Sequence, residues 1–143
     1  MWQNQETAAM LGFGTAHPQT PMSFLDEVTE GLSVAALDRV ARTLAPDDSG
    51  FRYRIVSKTT LARRLKQRDT RLSSEESARL VRLADVWGAA LDVWKEAGAA
   101  RAFLFRPHAM LHGRLPIDVV LQAEVGARIV RDILGGLQYG SAV

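Results

Sequence analysis

The apolar residues of this chain recur at helical spacing along most of its length. One clear stripe, with Ser33 as a candidate cap before it, consists of Val34, Leu37, Ala41 and Leu44. Residues 46–50, Pro-Asp-Asp-Ser-Gly, are typical of a turn after that helix. A shorter helix is predicted over residues 24–30, with Ser23 as its N-cap and Gly31 as its stop. The pattern predicts an all-α fold.

A long amphipathic helix is predicted over residues 74–97. Its apolar seam has spacings of four, three, four and three residues and consists of Leu80, Ala84, Trp87, Leu91 and Trp94. Ser73 and Glu76 stand three apart at its start, as in a capping box, and Gly98 would mark its end. Such a seam fits a core stripe within one chain, and it also fits the interface of a dimer.

Further helices are predicted in the last third of the chain. Residues 99–105 suit a short helix that ends before Pro107, and Pro116 suits the start of another. The last predicted helix carries Val125, Ile129, Ile133 and Leu134 and is expected to break at residues 135–136, two glycines. The tail after them is apolar and aromatic without a helix to sit in, so an ordered tail would need something to bind.

Two segments lack a helical pattern. Residues 1–22 carry one acidic residue and no lysine or arginine and show no sustained period, so we interpret them as a flexible arm. Residues 51–55, Phe-Arg-Tyr-Arg-Ile, alternate apolar and cationic side chains. This alternation is too short for a sheet and favours an extended linker.

Composition narrows the class of protein. Hydrophobic residues make up 47% and charged residues 24% of the 143 positions, as in soluble globular proteins. The chain has no cysteine, which excludes disulfides and thiolate metal sites and fits a reducing cytoplasm. No apolar run approaches the length of a membrane span, so we expect no membrane association.

The positive charge is concentrated in one stretch. Residues 51–72 contain eight cationic side chains and one acid, a net charge of +7, whereas the whole chain carries +2. The helix predicted within this stretch, with Ser57 as its N-cap, would bury Leu61, Ala62 and Leu65. Segregation of this kind is typical of a surface that binds a polyanion, although a solvated basic face on an ordinary core helix has the same composition.

The chemistry of this helix suits DNA recognition. Hydroxyls and first-turn N–H groups can hold phosphate, and arginine can read guanine edges through two hydrogen bonds. The candidate DNA-binding residues are Ser57, Lys58, Thr59, Thr60, Arg63, Arg64, Lys66 and Arg68.

The chain offers little for catalysis or metal binding. His108 and His112 stand four apart, but a third ligand is missing nearby, and Pro107 and Gly113 indicate a loop. No Ser, His and Asp set occurs in a recognisable local context. We therefore expect no enzyme activity, no metal and no cofactor.

Three separated motifs carry a resemblance to a known family. They read SKTTLARRLKQ, then RLSSEESARLVRLADV, then RPHAMLHGRLPIDVVLQAEVGARIVRDILGGLQYG. In this order they resemble the Xre/MbcA/ParS family of antitoxins. The resemblance covers roughly residues 32–140. After the arm at 1–22, it implies an Xre-like helix-turn-helix domain at 23–72 and a small helical toxin-binding and dimerisation domain at 73–143. By position, the helix-turn-helix falls on residues 34–67, with residues 58–67 as its recognition helix.

The resemblance also implies partners. The usual partner is a RES-domain toxin, which depletes NAD, or a related ADP-ribosyltransferase-like enzyme, and the antitoxin's C-terminal segment lies at the toxin's active-site cleft. The residues expected to bind toxin are Arg114, Leu137, Gln138, Tyr139, Gly140 and Ser141. Such antitoxins also repress their own operon as dimers or in higher complexes with toxin. A stand-alone dimeric regulator without a toxin partner is the alternative.

One feature departs from the family pattern. A compact helix-turn-helix has a short helix before its recognition helix, whereas residues 46–56 combine a turn with an alternating basic segment. Either a short helix lies there or the connection is longer and irregular.

Overall fold

The computed structural model describes residues 5–13 and 20–140, and most of these residues are helical. The α-helices, in chain order, are α1 (Gln5–Met10), α2 (Pro21–Glu30), α3 (Val34–Leu44), α4 (Lys58–Lys66), α5 (Ser74–Trp94), α6 (Ala97–Leu104), α7 (Pro116–Gln122) and α8 (Glu124–Gln138). Short 3-10 helices cover Phe51–Arg54 and Ala109–Leu111. The predicted all-α fold is confirmed. Within the described ranges, no helix combines the length and the apolar character needed to cross a membrane.

The chain divides into two compact units, Met1–Ala84 and Asp85–Val143. Helix α5 passes through the boundary, so its N-terminal half belongs to the first unit and its C-terminal half to the second. The predicted seam is divided in the same way. Leu80 is buried in the first unit and Trp87 in the second, and Leu91 and Trp94 are half-buried. Burial therefore assigns Leu80 to the core of the first unit and Trp87 to the core of the second.

In the first unit, helix α1 lies within the segment that we expected to be a flexible arm. In α1 and the residues after it, Thr7, Met10, Leu11 and Phe13 are buried. Arg39 on α3 donates to the Met10 carbonyl over 3.1 Å, and the Phe13 and Phe24 rings meet edge to face at 5.4 Å. The flexible-arm prediction is therefore wrong for residues 5–13, because apolar contacts with α2 and α3 order them. Residues 1–4 and 14–19 lie outside the described ranges.

Side-chain caps set the starts of α2 and α3. Thr20, not Ser23, is the N-cap of α2: its hydroxyl accepts from the Ser23 N–H at 3.1 Å, while the Ser23 hydroxyl accepts from the Thr20 N–H at 2.9 Å. The predicted cap was wrong by one turn, because Ser23 is the partner within a capping box. The stop at Gly31 and the cap at Ser33 are confirmed.

Backbone contacts close the first unit around Leu32. The Leu32 N–H donates to the buried Ser77 hydroxyl of α5, and the Leu32 carbonyl accepts from the Leu72 N–H, each over 2.8 Å. Gly31 has φ +111°, and a Cβ there would lie 2.1 Å from the Leu72 carbonyl oxygen. Glycine is therefore required at this close approach of two chain segments.

The second unit turns sharply after α5. Helix α5 ends at Trp94 rather than near residue 97, because Lys95 adopts a left-handed conformation with φ 60°. The Glu96 carboxylate then caps α6 by accepting from the Gly98 and Ala99 N–H groups at 2.6 and 2.9 Å. Gly98 therefore lies in the first turn of α6 and does not end α5.

Helices α7 and α8 pack closely at Gly126. A Cβ at this position would lie 2.0 Å from the Val119 carbonyl oxygen. The start of α7 at Pro116 is confirmed. The predicted break at residues 135–136 is wrong, since α8 continues through both glycines to Gln138. Helix α8 buries Val130, Ile133 and Leu134, so packing along this face sustains the helix despite the low helix propensity of glycine.

Candidate nucleic-acid interface and helical tail

A compact helix-turn-helix lies in the first unit. The 3-10 helix Phe51–Arg54 precedes α4, and three residues, 55–57, separate them. Phe51, Ile55 and Val56 are 0–1% exposed, so they anchor this connection in the core. The extended linker predicted for residues 51–55 is wrong, because residues 51–54 form a helical turn and the Phe51 and Ile55 side chains are buried. The 3-10 helix supplies the short helix that the sequence left open.

The start of α4 is built by two hydroxyls. The Ser57 hydroxyl accepts from the Thr60 N–H at 3.2 Å, which confirms the predicted cap, and donates to the Thr60 hydroxyl oxygen at 2.8 Å. These hydrogen bonds fix the position at which α4 begins. Thr59, by contrast, is exposed on the outer face.

The outer face of α4 is exposed and carries three cationic side chains. The exposed residues of this helix are Lys58, Thr59, Ala62, Arg63, Leu65 and Lys66. Only Leu61 of this helix is fully buried, whereas Leu65 is 55% exposed. The predicted burial of Ala62 and Leu65 is therefore wrong. Arg68 follows the helix, is exposed and has φ 58°.

Arg64 does not share this exposed face. Its guanidinium makes an ion pair with Glu76 of α5, and the two side chains are only 13% and 11% exposed. Burial raises the pKa of Glu76, but hydrogen bonds from Arg64 and Ser73 outweigh it, so the pKa lies below its ordinary value. Arg64, a candidate DNA contact by sequence, therefore holds α4 against the rest of the unit.

Glu76 also completes the predicted capping box of α5. The Ser73 N–H donates to Glu76 Oε1 at 2.8 Å, and the Glu76 N–H donates to the Ser73 hydroxyl at 3.1 Å. One carboxylate thus joins the start of α5 to the basic helix.

Arg79 of α5 is a positioning residue that our sequence reasoning missed. Its guanidinium donates to the Ile55 carbonyl at 3.0 Å, just before α4 begins, and pairs with Glu75 at 3.0 Å. The Glu75–Arg79 spacing of four along one helix signals an ion pair, but the contact with Ile55 depends on tertiary structure.

Other cations of the basic stretch also bind within the unit. Arg52 pairs with Asp38 at 3.0 Å and donates to the Tyr53 hydroxyl at 2.9 Å, and these contacts raise the pKa of Arg52, with the Tyr53 bond as the largest cause. Arg71 donates to the Gly31 carbonyl at 3.0 Å. The cations of the stretch therefore form two groups. Some bind other residues of the first unit, whereas Lys58, Arg63 and Lys66 are exposed on the outer face of α4.

The expected toxin-binding tail is the end of a helix. Leu137 and Gln138 form the last residues of α8, Tyr139 is its C-cap, and Gly140 has φ 65°. The side chain of Leu137 is 48% exposed and that of Tyr139 is 80% exposed. The expectation that the tail has no helix to sit in is wrong. Ser141 lies outside the described residues.

The remaining toxin-binding candidate, Arg114, is exposed in the loop before α7 and not on α8. In the same loop, His108 Nδ1 accepts from the Met110 N–H at 3.2 Å, and His112 is exposed with φ 56°. The part of the chain that the structure describes contains no cluster of three or more metal-ligating side chains.

Both units match known protein domains. Residues 23–85 match the antitoxin Xre-like helix-turn-helix domain, and residues 82–140 match the antitoxin Xre/MbcA/ParS C-terminal toxin-binding domain. The chain is also similar to the protein named Antitoxin Xre of Yersinia enterocolitica. The two are 31% identical over 118 residues, which cover 81% of this chain and 78% of that protein.

Proposed function

Because this chain belongs to the Xre/MbcA/ParS family of antitoxins, we propose that it silences a cognate RES-domain toxin and represses its own operon. As a member, it combines an Xre-like helix-turn-helix with a C-terminal toxin-binding domain. The RES-domain identity of the toxin, the depletion of NAD and the operator DNA are parts of the proposal.

Inhibition would be steric. The observation that supports this is the exposed apolar end of α8 in the toxin-binding domain, where Leu137 and Tyr139 are 48% and 80% exposed. Large apolar side chains left open at a helix end favour a protein partner. Placed at the toxin's active site, this end would block the entrance for NAD without any chemistry by the antitoxin.

DNA binding would use the outer face of α4. Lys58, Arg63 and Lys66 are exposed there, and Thr59 lies among them. A recognition helix of this composition binds phosphates through its cations and base edges through arginine and threonine. Helix-turn-helix proteins bind paired half-sites as dimers, so we propose a homodimer on the operator and a larger complex once toxin is bound.

Co-purification tests the toxin assignment. The antitoxin should be produced with the protein encoded by the adjacent reading frame and purified through a tag on one of them. We expect a stable complex with a RES-like protein that lowers cellular NAD when it is made alone. An antitoxin that purifies alone, from an operon without a second protein, would instead support a stand-alone dimeric regulator.

A further inference from the structure

The second unit contains an aromatic cleft that the proposed inhibition does not use. The cleft encloses about 440 Å³ and is lined by Trp94, Ala99, Ala102, Phe103, Arg106, Pro107 and His108. Helix α5 supplies the first of these, α6 the next three, and the segment after α6 the rest. The cleft therefore lies wholly within the toxin-binding domain.

Three aromatic rings in contact form one wall of the cleft. The Trp94 and Phe103 centroids lie 4.9 Å apart in a tilted arrangement, and the His108 ring meets Phe103 edge to face at 5.8 Å. All three side chains are half-buried. The bond from the Met110 N–H to Nδ1 fixes the His108 ring. Preformed aromatic walls of this kind are typical of pockets that receive an anchor side chain in protein interfaces.

The polar side of the cleft is cationic. Arg106 is exposed at its edge, and the lining residues that the structure describes include no carboxylate. The nearest acids in sequence, Asp92 and Glu96, both lie outside the lining, and Glu96 uses both carboxylate oxygens to cap α6. Charge complementarity thus favours a partner group that is negatively charged and lies next to an apolar one.

We propose that this cleft is the anchor site for the toxin, and that it receives an apolar or aromatic side chain flanked by a carboxylate. This inference rests on the proposed function, because the occupant is a segment of the toxin. It separates two tasks within one domain: the cleft supplies affinity, and the end of α8 supplies inhibition.

The test measures binding of the purified toxin to antitoxin variants. Arg106→Glu reverses the charge at the edge of the cleft, and Ala102→Trp fills the cleft. We expect each to raise the Kd by about tenfold or more. Arg128→Glu is the matched control, because Arg128 is an exposed arginine of the same unit outside the cleft lining. Its Kd should stay within about twofold of the unchanged antitoxin.

A chain that ends at Gly136 should still bind the toxin, because the cleft is intact. Normal affinity of both cleft variants would overturn the inference. Thermal unfolding followed by circular dichroism shows whether each variant is folded. If Ala102→Trp is unfolded, the Kd of Arg106→Glu alone tests the inference. If the unchanged antitoxin fails to bind, the proposed function itself fails, which is a different result from normal binding by the cleft variants.

Discussion

Arg64 of the basic helix is ion-paired with Glu76, the same carboxylate that closes the capping box at the start of α5. Neighbouring arginines in the sequence therefore have different tasks. Arg63 is exposed on the outer face of α4, whereas Arg64 is directed inward and holds that helix in place.

This difference predicts opposite outcomes for two alanine variants. Arg63→Ala should weaken operator binding and lower the slope of log affinity against log salt by about one unit if it contacts phosphate, with stability unchanged. Arg64→Ala should lower the free energy of unfolding by about 1–3 kcal/mol, because it leaves the buried Glu76 carboxylate with one partner fewer. Chemical denaturation and DNA titrations at several salt concentrations measure both. An Arg64→Ala variant of normal stability that lowers the salt slope as Arg63→Ala does would contradict these roles.

The same ion pair predicts an acid sensitivity. The pKa of Glu76 is below its ordinary value in the folded chain, because the bonds from Arg64 and Ser73 outweigh the effect of burial. A carboxyl whose pKa is lower in the folded state stabilises the fold above its unfolded pKa, and this contribution is lost as the pH falls through the folded pKa. The stability difference between the unchanged chain and Glu76→Gln should therefore shrink below about pH 4. Thermal unfolding from pH 7 to pH 3 measures it, and a constant difference would argue against the pair.

Two glycines of α8 provide a matched test of helix packing. Gly126→Ala should lower the free energy of unfolding by about 1–3 kcal/mol, because its Cβ would lie 2.0 Å from the Val119 carbonyl oxygen. Gly135→Ala should instead stabilise the chain by about 0.5–1 kcal/mol, because nothing lies within 4 Å of the Cβ position. Urea denaturation compares them. Destabilisation by Gly135→Ala would mean that α8 does not run through residues 135–136.

Local signals in the sequence predicted several helix starts. Ser33, Ser57 and the pair Ser73 and Glu76 cap α3, α4 and α5 as expected, because these bonds join residues only three apart. The cation-rich stretch could also be identified from the sequence, since counting charged residues requires no structure.

Other features depend on tertiary contacts and could not be predicted from the sequence. The inward direction of Arg64 depends on a carboxylate twelve residues away, and the contact of Arg79 with the Ile55 carbonyl spans 24 residues. Helix α8 continues through Gly135 because residues next to this glycine are buried, although glycine has a low helix propensity. The contact of Trp94 with Phe103 in the cleft wall follows the left-handed turn at Lys95, and a lysine gives no sequence signal for that conformation.

The most direct test of the proposed inhibition is the NAD content of cells that produce the toxin together with either the full antitoxin or a chain that ends at Gly136. We expect the full chain to preserve NAD. The shortened chain, which lacks Leu137 and Tyr139, should leave NAD depleted while it still binds operator DNA, so that loss of folding is excluded as the cause. Preservation of NAD by the shortened chain would contradict the proposal that the end of α8 occludes the active site.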